Sequence, residues 1–501
     1  MIKILSAAQI RQWDQFTIQQ EPVSSTGLME RAAAACFEWL EKNEYVSRTF
    51  SVFCGGGNNG GDGLAIARML ATDKQAVTVY VLDGKEGSPD FRYNLTRLQE
   101  LPVTIHTIAA ITDFPHIPHN DVILECLFGT GLSRPLAGLA AGLVSFINEC
   151  GNEIISIDMP GGLFADTAST GNQVIKASHT LTFQAYKTAL LLPENEAYTG
   201  HVHLLDIGLD HTFLQSAAHA YTWIDSPLVK SMYKPRKNFA HKGTYGHALL
   251  IAGSHGKMGA AVMAAAACLR TGAGLLTVFT PASGNIILQT SLPEAMVLTD
   301  PNQHILTTLP DETDKYATVA IGPGIGTASE TVSVMAALLQ QYKHPIIVDA
   351  DGLNILAAHP GLLSRLPVGS VLTPHPKEFE RLFGKSDHDF DRLQLAIKQA
   401  KALQCTIVLK GHYTFIALPD GQGYFNSTGN AGMAKGGSGD VLTGMIAGLI
   451  SQGYAPQQAA IMGVYLHGLA GDLAAKEHGM ESMLPTDLIA YIGRAFMSVQ
   501  Q

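Results

Sequence analysis

Aromatic residues make up only 7% of this 501-residue chain, and an excess of positive charge is missing. With 33 Lys and Arg against 43 Asp and Glu, the formal net charge is −10 and the pI is near 6.0. A surface of that sign does not condense on nucleic acid or an anionic bilayer, so neither partner is expected and an anionic ligand must be held by local features. The six cysteines, Cys36, Cys54, Cys126, Cys150, Cys268 and Cys405, form no Cys-x-x-Cys pair and have no His at zinc-like spacing. They read as reduced, mostly buried thiols of a cytoplasmic protein. Lys3, Arg11 and Asp14 stand where a signal peptide needs an apolar segment. The most apolar stretch, 259–269, ends at Arg270 and falls short of the ~20 residues of a membrane helix.

What the chain has in quantity is glycine, 50 residues, much of it in loops between apolar segments. At about 150 residues per domain, the length predicts two or three domains. Ala7–Gln20 and Leu28–Glu41 have helical spacing, and Ser24-Ser25-Thr26 can cap the second. Phe50–Cys54 reads as a strand running into the glycine loop 55–63, with a helix expected from Leu64. Strands are also predicted at 77–82, 122–126, 154–158 and 180–183, and this alternation implies a mostly parallel sheet with helices on both faces. The loops 125–135 and 158–162 follow two of those strands, where such a sheet holds its ligand.

Periodicity lapses between Gln215 and Tyr233, a basic run follows at 234–242, and a domain junction is placed near residue 224. The second half repeats the α/β alternation, with strands predicted at 247–251, 275–279, 318–321, 346–349, 371–373, 406–410 and 414–417. Several end in suggestive loops: Gly322-Pro-Gly-Ile-Gly326, Asp349-Ala-Asp351, Thr373-Pro-His-Pro376 and Lys410-Gly411. The sharpest signal is Asn430 to Gly444, Asn-Ala-Gly-Met-Ala-Lys-Gly-Gly-Ser-Gly-Asp-Val-Leu-Thr-Gly. Gly436, Gly437 and Gly439 let backbone N–H groups approach an anion at the start of a helix expected over 441–450. Asp440 either caps that helix or takes a proton from an attacking hydroxyl, because an idle carboxylate would repel phosphate. No Walker A pattern is present.

These motifs, in this order, resemble the bifunctional NAD(P)H-hydrate repair family. Residues 224–497 resemble its ADP- or ATP-dependent dehydratase of hydrated NADH and NADPH (NADHX and NADPHX), and residues 1–215 its epimerase domain. The resemblance implies an α/β fold of two three-layer αβα domains, the N-terminal one Rossmann-like and the C-terminal one ribokinase-like. It implies interconversion of the R and S epimers by the first, then dehydration of the S form by the second at the expense of ADP or ATP. In the first domain it puts the hydrated dinucleotide against Asn58, Asn59, Gly60, Gly61 and Asp62, and against Gly129, Thr130, Gly131, Leu132, Ser133, Arg134 and Pro135. Asp158 is the implied acid and base at the hydroxyl-bearing carbon. Asn59, Glu125 and Gly161 match the family's potassium positions, where Asp is commoner than Glu125 and Ser than Gly161.

In the second domain the resemblance puts substrate near Ala260, Gly324, His375 and Asp440. The adenine nucleotide falls against Lys410, Gly411, His412, Tyr413, Thr414 and Gly439, with magnesium on its phosphates and Asp440 as the base. Asp349 and Asp351 are either magnesium residues or strand-end turn residues, His375 is a site or a structural histidine, and Lys187 reads as a surface lysine. A homo-oligomer is the expected assembly. Two other readings stay open: a ribokinase-like kinase releasing a phosphorylated small alcohol, and a first half that is a binding or scaffold module.

Overall fold

The computed structural model describes residues 2–84, 86–217 and 221–500. The chain divides into two compact units, Lys3–Ala220 and Tyr221–Gln501, with Ile2 grouped with the second. After a short strand β1 (Ile2–Ile4), the first unit is built on β2 (Phe50–Cys54), β3 (Val77–Leu82), β4 (Thr104–Ile108), β5 (Val122–Cys126), β6 (Ile154–Ile157), β7 (His179–Phe183) and β8 (His201–Leu205). These seven form one sheet in the order β4-β3-β2-β5-β6-β7-β8, every neighbouring pair parallel. The central strands β2 and β5 are buried along their whole length, and so read as unbroken apolar runs. The chain order reverses between β2 and β5, so the loops that leave their carboxyl ends part and open a crevice.

One of those loops is shorter than the sequence suggests. The helix begins at Asn58 and runs to Thr72, so Asn-Asn-Gly-Gly-Asp-Gly forms its opening turns. Glycine permits this by closeness of approach: a Cβ on Gly60 would lie 1.7 Å from the Gly55 carbonyl oxygen, and one on Gly63 2.6 Å from Cys126 Cβ.

The second unit holds β9 (Tyr221–Ile224), β10 (His247–Ile251), β11 (Leu275–Pro281), β12 (Met296–Asp300), β13 (Thr318–Ile321), β14 (Ile346–Val348), β15 (Val371–Leu372), β16 (Thr406–Leu409), β17 (Phe415–Ala417) and β18 (Gly423–Asn426). Their order is β9-β18-β17-β16-β15-β14-β13-β10-β11-β12. Only the β16–β17–β18 meander is antiparallel. The reversal falls between β13 and β10, beneath the loop that carries Gly324 and the helix start that carries Ala260.

Asp440 sits in the first turn of a helix that starts at Ser438, ahead of the expected Val441, and ends at Ser451. Everything from Val441 to Ser451 is buried. This helix lies so close to the helix Met258–Thr271 that a Cβ on Gly444 would stand 2.0 Å from the Ala264 carbonyl oxygen. A strand, β9, and a short helix, Ser226–Met232, fill part of the stretch where periodicity lapses. Among the described residues, no helix is long and apolar enough to cross a membrane.

Candidate active sites

In the first unit a cavity of about 760 Å³ opens at the β2/β5 reversal. Asn58, Asn59, Asp62, the run Gly129–Arg134 and Asp158 line it. Gly60 and Gly61 stand behind it as close-packing positions, a Cβ on Gly61 meeting Met29 Sδ at 2.8 Å. Pro135 is not part of the lining.

Asp158 follows β6 with φ +68°, a left-handed conformation uncommon outside glycine and often kept where a side chain must be aimed. Its Oδ1 accepts from Lys187 Nζ at 2.7 Å, and its Oδ2 from the Thr130 N–H at 3.2 Å. Lys187 is the correction here: it is 0% exposed, and its ammonium also donates to Thr182 Oγ1 (2.7 Å) and the Phe183 carbonyl (3.1 Å). Gly129 leaves room for this arrangement, since a Cβ there would lie 2.9 Å from Asp158 Oδ2.

Asp14, Asp62 and Asp90 also line the cavity. Asp14, on the helix Ala7–Gln20, is raised to about 6 by burial and then by the Asp158 charge. Burial, and again Asp158, push Asp62 well above the usual carboxylate range. The site thus sets proton-holding carboxyls beside a carboxylate paired to an ammonium, a division of roles suited to acid–base work. Asn59 is 8% exposed and neither its Oδ1 nor its Nδ2 has a partner, a costly state that a ligand would relieve.

Glu125 and Gly161 do not line the cavity. Glu125 is 0% exposed; Oε1 accepts from the Leu127 N–H (2.9 Å), and Oε2 from Ser156 Oγ (2.7 Å) and the Gly161 N–H (3.0 Å). Burial pushes this carboxyl up to about 7 against the pull of those donors. A carboxylate has about four lone-pair sites, and protein donors take three of them. With Glu125 buried and held by those donors, and the Gly161 carbonyl accepting from the Ile175 N–H at 2.9 Å, these two positions do not fit as open potassium ligands, despite the resemblance.

In the second unit the strand ends bring Asp349, His375, Lys410 and Asp440 together. Lys410 Nζ donates to Asp349 Oδ1 at 2.9 Å and lies 3.9 Å from Glu378 Oε2. Asp349 Oδ2 accepts from Thr443 Oγ1 at 2.8 Å, within Asp440's own helix. A Cβ on Gly439 would lie 3.2 Å from Lys410 Nζ, so the lysine reaches the helix start. Burial and then Asp349 raise Asp440 to about 7, with Lys410 pulling the other way. Asp349 and Glu378 keep the Lys410 ammonium charged against its own burial.

His375 caps the helix Pro376–Phe383, its Nδ1 accepting from the Lys377 N–H at 3.1 Å. Burial, then Lys410, lower its pKa, so the ring is neutral with its proton on Nε2. It is a structural cap and a site group at once. Thr414 Oγ1 closes the 410–414 loop, donating to the Gly411 carbonyl at 2.9 Å. Gly411 and His412 stay exposed, and the His412 and Tyr413 rings lie 4.2 Å apart.

Ala260 and Gly324 adjoin, a Cβ on the latter falling 3.3 Å from the Cβ of the former. Asp351 ties the Gly324 loop to the N-cap of the Ala260 helix, accepting from the Gly326 N–H (2.9 Å) and from Lys257 Nζ (3.1 Å). Both candidate magnesium carboxylates are thus engaged by protein donors, and no cluster of three His, Cys, Asp or Glu among the described residues fits a metal.

Sequence reasoning missed Asp14, and it also missed two residues that brace the glycine stretch. His467 Nε2 donates to the Ser438 carbonyl at 2.9 Å, and burial lowers its pKa to about 4, so it stays neutral. Asp472 accepts from the Gly429 N–H and from Asn430 Nδ2, each at 2.9 Å. A lone His or Asp inside a long buried helix gives no sequence signal of such a contact.

Acid–base groups at one sheet reversal and a phosphate-ready helix start above another define a two-unit enzyme of proton and phosphoryl transfer. The family model described as YjeF-related protein N-terminus matches residues 25–189, and the one described as NAD(P)H-hydrate dehydratase matches 248–494. The bifunctional NAD(P)H-hydrate repair enzyme Nnr of Moorella thermoacetica is 35% identical over 515 residues, covering 99% of this chain and 97% of that one. Its Escherichia coli counterpart is 35% identical over 470 residues, covering 93% and 88%. A crystal structure of the ADP/ATP-dependent NAD(P)H-hydrate dehydratase from Bacillus subtilis, co-crystallised with ATP/Mg2+, matches at 33% identity with a TM-score of 0.51, covering 56% of this chain and 100% of that one. The chain belongs to the family of bifunctional NAD(P)H-hydrate repair enzymes.

Proposed function

We propose that the unit Lys3–Ala220 interconverts the R and S forms of NADHX and NADPHX, and that Tyr221–Gln501 dehydrates the S form at the expense of ADP or ATP. The observation that carries this reading is Asp440, poised near neutral pH beside Lys410 at a glycine-lined helix start. The six free cysteines support a cytoplasmic location.

Epimerisation requires the ring carbon–oxygen bond to break and re-form from the other face. One proton goes to the departing oxygen and one is withdrawn from the returning water. A carboxylate, Asp158, beside proton-holding Asp62 and Asp14 supplies both transfers, and Lys187 stabilises the ionised partner. The unpartnered Asn59 amide receives a polar group of the substrate. No step passes through potassium, because buried Glu125 is held by the protein's own donors.

In the second unit Asp440 takes the proton of the ring hydroxyl as that oxygen attacks the terminal phosphorus of the nucleotide. The bond to the leaving AMP or ADP oxygen breaks, and Lys410 with the free N–H groups of the helix's first turn takes up the charge. Magnesium, arriving on the nucleotide, supplies charge neutralisation at its phosphates. The phosphorylated oxygen then departs as phosphate, driven by the ring nitrogen lone pair. Loss of a proton from the adjacent carbon restores the dihydronicotinamide.

The test is to incubate the full chain with racemic NADHX and ADP or ATP, following both epimers and the recovered NADH absorbance. Asp440→Asn should lose nucleotide-dependent recovery and keep epimerisation; Asp158→Asn should do the reverse. Full dehydration by Asp440→Asn would remove the proposed base.

A further inference from the structure

The two family positions at which this chain departs from the usual residues touch each other. A Cβ on Gly161 would lie 2.7 Å from Glu125 Oε1 and 3.3 Å from its Cδ, so the longer carboxylate occupies the space a serine would need. Gly161 does not adopt a left-handed φ, so glycine is required there for room and not for backbone freedom. Its N–H is one of the three donors that hold Glu125. The others come from Ser156 on β6 and from Leu127. One carboxylate therefore ties the loop that leads to Gly129–Arg134 to the loop that follows Asp158.

We infer that Glu125 and Gly161 are a matched pair that closes the potassium position of the family and makes the epimerase unit independent of a monovalent cation. Glu125 does the holding as a positioning residue, fixing from within the two loops a cation would otherwise bridge. Asn59, left without a partner, turns to substrate instead.

This rests on the epimerase assignment, and the test keeps the two separable. Without nucleotide, the R-to-S rate of the full chain is measured in potassium, sodium and N-methylglucamine chlorides. Rates within twofold are expected; a tenfold or larger potassium stimulation overturns the inference. Thallium(I), a potassium surrogate, is counted by equilibrium dialysis on wild type and on Glu125→Asp/Gly161→Ser. The double variant should bind one more ion per chain and gain a potassium response. Gly161→Ser alone should melt lower, with Glu125→Asp restoring it. Equal ion counts, or a Gly161→Ser chain as stable as wild type, also overturn the pairing. Absence of epimerisation in every salt removes the assignment, and the ion count still decides the pairing.

Discussion

A lysine and a carboxylate meet at the strand ends of both units, and the two pairs are put to different uses. In the first, Lys187 holds Asp158 at 2.7 Å, and the carboxylate it holds is the proposed reactive group. In the second, Lys410 holds Asp349 at 2.9 Å, and the proposed base is a third residue, Asp440. Their surroundings differ to match. The Lys187 side chain is 0% exposed, and its ammonium is satisfied by Asp158, Thr182 and Phe183. Lys410 leaves 22% of its side chain open at the helix start where a phosphate would lie. A lysine that only sustains a base can be sealed in; one that must also meet a nucleotide has to keep a face open.

The largest expected effect comes from deleting each lysine. Lys187→Met leaves Asp158 in a nearly closed site without its counter-ion, and breaking such a pair costs about 3–5 kcal/mol. Epimerisation should fall about 10²–10⁴-fold, and calorimetry should show the Lys3–Ala220 transition moving down. Lys410→Met should abolish nucleotide-dependent dehydration, leave epimerisation intact and destabilise its unit less. Equal damage to both activities by either variant would break the comparison.

The next effect is in pH dependence, where the units should slope in opposite directions. Asp440 must be ionised to accept a proton, so with its pKa raised to about 7 the dehydration kcat should fall tenfold per unit below that pH. Asp14, raised to about 6, donates only while protonated, so epimerisation should decline above that pH. Asp14→Asn should flatten that limb. Asp349→Asn removes the negative neighbour that, after burial, most raises Asp440, so the dehydration limb should move to lower pH. A limb that stays in place would mean that Asp349 does not set the strength of the base.

What sequence reading captured, and what it missed, follows the same physics. Strands buried on both faces, such as Phe50–Cys54 and Val122–Cys126, announce themselves as apolar runs. The edge strands Thr104–Ile108 and Met296–Asp300 are largely exposed and mix polar with apolar residues, so they read as loops. Glycine strings look like loops too, yet Asn58–Gly63 and Ser438–Gly439 open helices; Gly60 lets the first helix lie against the Gly55 backbone, and Gly444 the second against that of Ala264. In the sites, groups carried on glycine motifs were legible. Asp14 and Lys187 were not, because their roles arise only when a distant helix and a strand end fold around one cavity.

The smallest expected effect sharpens what each pair's supporting hydroxyl contributes. Thr182 Oγ1 accepts from Lys187, and Thr443 Oγ1 donates to Asp349; both threonines are 0% exposed. Valine keeps the shape at each position and removes the polar atom, stranding one N–H of an ammonium or one oxygen of a carboxylate. Each change should cost about 1–3 kcal/mol of stability, or about 2–4 °C of melting temperature per kcal/mol in a unit of this size. Neither threonine touches reacting atoms, and neither substitution changes a charge, so kcat should move less than threefold. The dehydration limb of Thr443→Val should coincide with that of wild type. A shift as large as that of Asp349→Asn would assign the tuning of Asp440 to the hydrogen bond, and the Asp349 charge would lose its role.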